Sequence, residues 1–114
     1  MLVRVNTDNN IVGSDKLSQD VEEIVTDVLG RFSDRLTRVE VHLADENSRA
    51  KSGQDDKRCT MEARVAGRQP VAVTEQAPTL MQAVTGAAEK LEKTLDRTLE
   101  RLDDRKGRTS AGGE

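Results

Sequence analysis

The stretch PTLMQAVTGAAEKLEKTLDRTLERLDD, residues 78–104, decides how the rest of the chain must fold. Its apolar residues Leu80, Val84, Ala87, Ala88, Leu91, Leu95, Leu99 and Leu102 mostly recur three or four apart. At roughly 100° per residue they fill one arc about 120° wide, the stripe of an amphipathic helix laid on a core. Lys90, Lys93, Arg97 and Arg101 gather in an arc of roughly 80° beside it, and Glu89, Glu92, Asp96, Glu100 and Asp103 in another. The helix therefore has an apolar, a basic and an acidic face. Charges on a helix often form a solvated face laced with ion pairs. Here Lys93, Arg97 and Arg101 stand at i, i+4 and i+8, so like charges adjoin at a cost of roughly a few tenths of a kcal/mol per pair. A row kept at that cost points to an anionic partner.

Such a stripe needs a surface to cover, and the sequence before it supplies one. Thr79 and Gln82 have the spacing of a capping box at the helix start. Val71 and Val73 carry a strand with Pro70 at its beginning, where proline is tolerated. Residues 57–66 alternate, with Cys59, Met61, Ala63 and Val65 on one side and Arg58, Thr60, Glu62 and Arg64 on the other. Gly67-Arg68-Gln69 makes the turn between these strands. Residues 38–44 alternate as well, Val39, Val41 and Leu43 against Glu40 and His42. The polar stretch 45–56, with Gly53, reads as a mobile loop.

Further back, Leu17, Val21, Ile24, Val25, Val28, Leu29 and Phe32 repeat at helical spacing and predict a first helix over 15–32. Ser14 is its N-cap and Asp15 suits its first turn; Gly30 weakens its last. Its outer face is acidic: Asp15, Asp20, Glu22, Glu23 and Asp27 against Lys16. Residues 7–13 are turn-prone, and 2–6 form an opening strand with Val3 and Val5 on one face. From Lys106 the tail KGRTSAGGE is expected to be disordered. The order is β-α-β-β-β-α, of α+β class. The simplest packing is one domain over 1–105, a four-stranded sheet with both helices on one face. Glu40, His42, Arg58, Thr60, Glu62 and Arg64 then face water on the other.

The net charge of −3, from 18 basic and 21 acidic residues, argues against indiscriminate nucleic-acid binding. Any contact with a polyanion must come from local segregation of charge. With one Phe, no Tyr and no Trp, base stacking on aromatic side chains is not the expected mode. No apolar run approaches a membrane span, and Met1 opens into strand-like sequence and not a signal peptide. One cysteine makes no internal disulfide. Together these predict a cytoplasmic protein without a membrane partner.

Catalytic motifs are missing from the sequence: no Gly-rich phosphate loop, no paired-cysteine metal spacing, no Ser/His/Asp pattern. No enzyme activity, cofactor, metal or small-molecule substrate is expected. His42 and Cys59 could suggest a nucleophile–base or metal pair, but alternation sends them to opposite faces. Asp45-Glu46 and Asp55-Asp56 read as solubilising loop carboxylates. Basic residues are the remaining signal. From 49 to 68, Arg49, Lys51, Lys57, Arg58, Arg64 and Arg68 outnumber Asp55, Asp56 and Glu62. Lys57, Arg58, Arg64 and Arg68, with the stripe Lys90, Lys93, Arg97 and Arg101, are the candidate RNA-contacting residues of one discontinuous surface. An α-β-β-β-α core with a basic helix is the layout by which double-stranded-RNA-binding domains read shape and phosphates.

The sequence also resembles the hibernation-promoting factor / ribosome-associated inhibitor A family in its short form, from Leu2 to about Arg101. The resemblance rests on the opening strand with its Asn9-Asn10 loop, on Ser14, and on VEVHL at 39–43. AVTGAAEKLEKTLDR at 83–97 is the closest piece, and the stretch 45–77 resembles a proteobacterial branch. The resemblance implies the β-α-β-β-β-α fold. It also implies a stress-response hibernation factor that binds small-subunit ribosomal RNA and inhibits translation by blocking the channel for messenger and transfer RNA. It carries the family's basic positions onto Lys90, Lys93 and Arg97; Arg101 follows from stripe geometry. Two departures stand out. Family first helices carry bases where this one is acidic, and the C-terminal dimerisation domain of long-form members has no counterpart here. A free monomer that does not itself pair ribosomes is therefore expected. The alternative reading is a non-ribosomal interaction module using the acidic first helix or the open sheet face.

Overall fold

In the computed structural model, residues 1–8, 11, 13–45 and 57–110 are described, with 100–110 as backbone alone. The elements are β1 (Leu2–Thr7), α1 (Asp15–Leu29), a 3-10 turn (Gly30–Phe32), β2 (Leu36–Asp45), β3 (Lys57–Val65), β4 (Val71–Ala77) and α2 (Leu80–Ser110). This is the β-α-β-β-β-α order, of α+β class, that the periodicity predicts. Ser14 caps α1, its Oγ accepting from the Leu17 N–H at 3.0 Å. Thr79 Oγ1 accepts from the Gln82 N–H at 3.1 Å. The Thr79 hydroxyl also donates to Gln82 Oε1 at 3.3 Å, so the box closes side chain to side chain.

Two helix boundaries differ from the expectation. The first helix stops its α-helical bonding at Leu29, and the tighter 3-10 turn carries Phe32 into the core. The second stays helical through Ser110, beyond Lys106, where the tail was expected to begin. No proline follows Pro78, and residues 99–106 are rich in helix formers, so a lone Gly107 does not stop it. The loop predicted over 45–56 lies, from 46 onward, outside the described residues, as do Asn9 and Asn10.

The strands lie in the order β1-β2-β3-β4. β1 runs parallel to β2, and α1 supplies the long crossover that parallel neighbours need. β2–β3 and β3–β4 are antiparallel. The β3–β4 turn is tight: the Arg68 N–H donates to the Val65 carbonyl at 3.0 Å, and Gly67 has φ +71°.

Both helices cover one face of the sheet. Val21, Val25 and Leu29 of α1 and Val84, Ala87, Ala88, Leu91 and Leu95 of α2 join Val39, Val41, Met61 and Ala63 in one core. No polar or charged residue is buried among the described residues. α2 lies over β3 and β4, while α1 packs beside α2 and toward β1. The other face of the sheet is left open.

Gly67 and Gly30 should respond differently to alanine. Gly67→Ala should lower the unfolding free energy by about 1–2 kcal/mol, because a Cβ is disfavoured at positive φ. Gly30 has φ −59° and open space around its missing Cβ, so Gly30→Ala should be neutral or stabilise by up to about 1 kcal/mol. Urea unfolding of the two variants measures both.

Candidate nucleic-acid interface

Seating α2 by its apolar stripe turns its two charged arcs to opposite sides. The acidic arc faces the end of α1. Arg31 Nε lies 3.4 Å from Glu92 Oε2, and Arg31 Nη1 lies 3.4 Å from Asp96 Oδ1. The guanidinium also sits 4.3 Å over the Phe32 ring. The hydrogen bond to Asp96 raises the Arg31 pKa above its ordinary value; desolvation opposes it, and the Asp96 charge and Glu92 add to the rise.

The basic arc faces the β4 edge, and its residues are not equivalent. Lys90 Nζ lies 2.9 Å from Glu75 Oε1 and donates to the Thr74 carbonyl at 2.7 Å. Glu75 occupies a helix-facing position of β4, and Gly86 makes room for it: a Cβ there would lie 2.8 Å from Glu75 Cγ. Lys90 therefore fastens α2 to β4 and is engaged within the protein. Lys93 and Arg97 are exposed and form no ion pair with any described residue. The side chain of Arg101 lies outside the described residues.

The hairpin bases do not join this arc in one surface. Lys57 sits at the strand end on the helix side, 3.6 Å from Asp45 Oδ1. Arg58 and Arg64 project from the open sheet face, Arg64 at 3.9 Å from Glu62 Oε1. Arg68 is exposed in the β3–β4 turn. The discontinuous surface expected from sequence therefore spans both sides of the sheet, with Arg58 and Arg64 on the open face and Lys57 on the helix side. Arg49 and Lys51 lie outside the described residues.

The open face also carries Arg4 and Arg38, which sequence reasoning passed over. Arg4 stands across from Glu40, and Arg38 Nε lies 3.1 Å from Glu40 Oε2. Arg4 alternates with Val3 and Val5, so its face was legible. Which strand it would meet was not. The register sets Arg38 opposite Arg64 and Glu40 opposite Glu62, an unfavourable pairing of like charges across strands. The ion pairs that offset it run along each strand.

Cys59 and His42 do not act together. Cys59 pairs with Leu43 in the register and is fully buried, while His42 pairs with Thr60 on the exposed face, 3.5 Å from Glu40. Burial, with the Glu75 carboxylate across the strand, pushes the Cys59 thiol up to about 12. Among the described residues no three His, Cys, Asp or Glu side chains converge to hold a metal. Among the described residues no helix is long and apolar enough to cross a membrane. The outer face of α1 is acidic, with Glu22, Glu23 and Asp27 beside Gln19 and Thr26 around a shallow hollow.

The sequence profile of the family described as sigma 54 modulation protein / S30EA ribosomal protein matches residues 5–103. Solved structures share the fold, among them the following two. The Protein Y N-terminal domain of Thermus thermophilus matches with a TM-score of 0.68 at 20% identity, covering 86% of this chain and 99% of that one. A ribosomal subunit interface protein from Coxiella burnetii matches with a TM-score of 0.67 at 13% identity, covering 88% of this chain and 99% of that one. No curated protein matches the chain by sequence.

The shielded thiol has a pH signature. Its pKa is 9.0 in its ordinary state and about 12 in the fold, so the unfolded chain loses the proton first. The contribution of the buried thiol is complete below pH 9 and is lost as pH rises toward 12, by up to about 1.4 kcal/mol per pH unit. Cys59→Ala should show a shallower alkaline loss of stability than the parent. The parent thiol should resist a thiol reagent at pH 8 until denaturant is added.

Proposed function

Because the chain belongs to the S30EA ribosomal-protein family, we propose that it is a ribosome-associated hibernation factor, binding small-subunit ribosomal RNA and inhibiting translation by occupying the channel for messenger and transfer RNA. The observation that carries this reading is the family match over residues 5–103. The factor acts in the cytoplasm as a monomer when free, and performs no chemical step. It competes by volume: a folded domain held in the channel excludes the RNAs that must pass.

Electrostatics sets how such a domain is held. A chain of net charge −3 is not drawn to RNA from a distance. Attachment depends on bases that are exposed and not already paired, and Lys93 and Arg97 meet both conditions. One turn apart on a rigid helix, they reach neighbouring phosphates, which fixes position and orientation without reading sequence. Lys90 is already engaged with Glu75 and the Thr74 carbonyl and is not one of them. The acidic face of α1 is repelled by phosphates, so the domain docks with α1 turned away from RNA.

Co-sedimentation with purified small subunits across a salt series tests this. The parent should travel with subunits at low salt. Lys93→Gln with Arg97→Gln should weaken binding and reduce the slope of log affinity against log salt by about two contacts' worth. Lys90→Gln should keep the parent slope. Free protein at the top of the gradient at low salt would contradict the proposal. Binding lost on Glu22→Lys with Glu23→Lys, but indifferent to the Lys93 and Arg97 changes, would favour the interaction module that uses the acidic helix.

A further inference from the structure

The open sheet face contains a depression of about 230 Å³ at the end of β1, β2 and β3. Its cause is a step in side-chain size. Ala44 of β2 stands across from Arg58 of β3, and in the next rung His42 stands between Asn6 and Thr60. One methyl group among longer neighbours leaves a pit walled by an imidazole and a guanidinium. Asp8 closes the end, its carboxylate accepting from the Asp45 N–H at 3.3 Å.

The lining selects among ligand classes. An apolar ligand would cover the Asn6 amide and leave the remaining bonding capacity of the already engaged Asp8 carboxylate and Thr60 hydroxyl unused. A bare phosphate would gain Arg58 but face the charge of Asp8, with Glu40 3.5 Å from His42. A planar ring with donors and acceptors along its edge, joined to one phosphate, suits both halves of the site. Unpaired nucleotides are held in this way, against His or Arg planes and by hydrogen bonds to base edges. Asn6 offers both a donor and an acceptor, and the Thr60 hydroxyl, 3.2 Å from that of Thr74, retains capacity for another bond.

We propose that this depression seats one unpaired nucleotide, with its base over Ala44 against His42, its edge toward Asn6, Asp8 and Thr60, and its phosphate on Arg58. The site lies across the sheet from Lys93 and Arg97, so the two surfaces engage RNA separately. The nucleotide chemistry stands on the pit itself; only the assignment of its source to ribosomal RNA rests on the function proposed above.

The test is amide-resolved NMR titration of the whole chain with a short mixed-sequence single-stranded RNA, with a blunt RNA duplex, and with nucleoside monophosphates. Single-stranded RNA should move the amides of Asn6, Ala44 and Thr60, whereas the duplex should move only those near Lys93 and Arg97. Ala44→Leu fills the pit without changing charge and should weaken the single-strand response about tenfold, the worth of one held base. Thr60→Val, which keeps the branched strand residue, should weaken it less and serves if Ala44→Leu does not fold. Tighter binding of the strand than of monophosphates assigns the site to RNA; the reverse assigns it to a free nucleotide. Sheet amides that never move, or folded variants with unchanged affinity, overturn the proposal. Loss of the sheet response with small-subunit co-sedimentation intact sinks this inference alone. A strand response without co-sedimentation sinks the ribosomal reading alone.

Discussion

The rotation at which α2 locks onto the sheet governs the rest of the surface. Val84, Leu91 and Leu95 are fully buried on β3 and β4 with Ala87 and Ala88. Each large side chain buried in this way contributes roughly 1.5–3 kcal/mol. The exposed ion pairs beside them, Arg31 with Glu92 and Asp96 or Lys90 with Glu75, are worth about 0–1 kcal/mol apiece. The stripe therefore sets the rotation and the ion pairs follow it. With the stripe down, the acidic arc meets Arg31 and the basic arc looks out over the β4 edge. A turn of the helix about its axis would move the charged arcs only by bringing the leucines into water.

That constraint also fixes how the charges of an acidic chain are distributed. Its charges are sorted, not merely counted. Acids collect on α1, where Glu22, Glu23 and Asp27 are exposed, and on the side of α2 that Arg31 neutralises. Bases remain on the far side of α2 and on the open sheet face. Gly86 has an unexpected part in the sorting. By leaving space for Glu75 beneath the helix, it lets Lys90 act as a strut, and Lys93 and Arg97 project from the part of the helix that the strut holds.

The elements were legible because each has one apolar periodicity and recognisable ends. Ser14 and Thr79 start the two helices as their side chains predict, and the alternation of 57–66 separates Cys59 from Arg58 and Arg64. What periodicity lacks is pairing. It assigns a residue to a face but does not say which strand lies next to it, so the pairing of Arg4 with Glu40 and of Arg38 with Arg64 is not legible from it. The role of Lys90 was hidden for a related reason. Glu75 lies fifteen places before it in the sequence, beyond any local pattern, and only the close approach at Gly86 brings the two together. The end of α2 lies beyond the expected one because charge and small residues look like a tail, while a helix without proline can run through a lone Gly107.

If charge sorting holds the domain on the ribosome, its two helices must differ in what they touch. Site-specific photo-crosslinking to small subunits measures this directly, with the crosslinker placed at residue 93 in one preparation and at residue 23 in another. The account predicts adducts with ribosomal RNA from residue 93 and none from residue 23. Adducts from residue 23, with residue 93 silent, would contradict it.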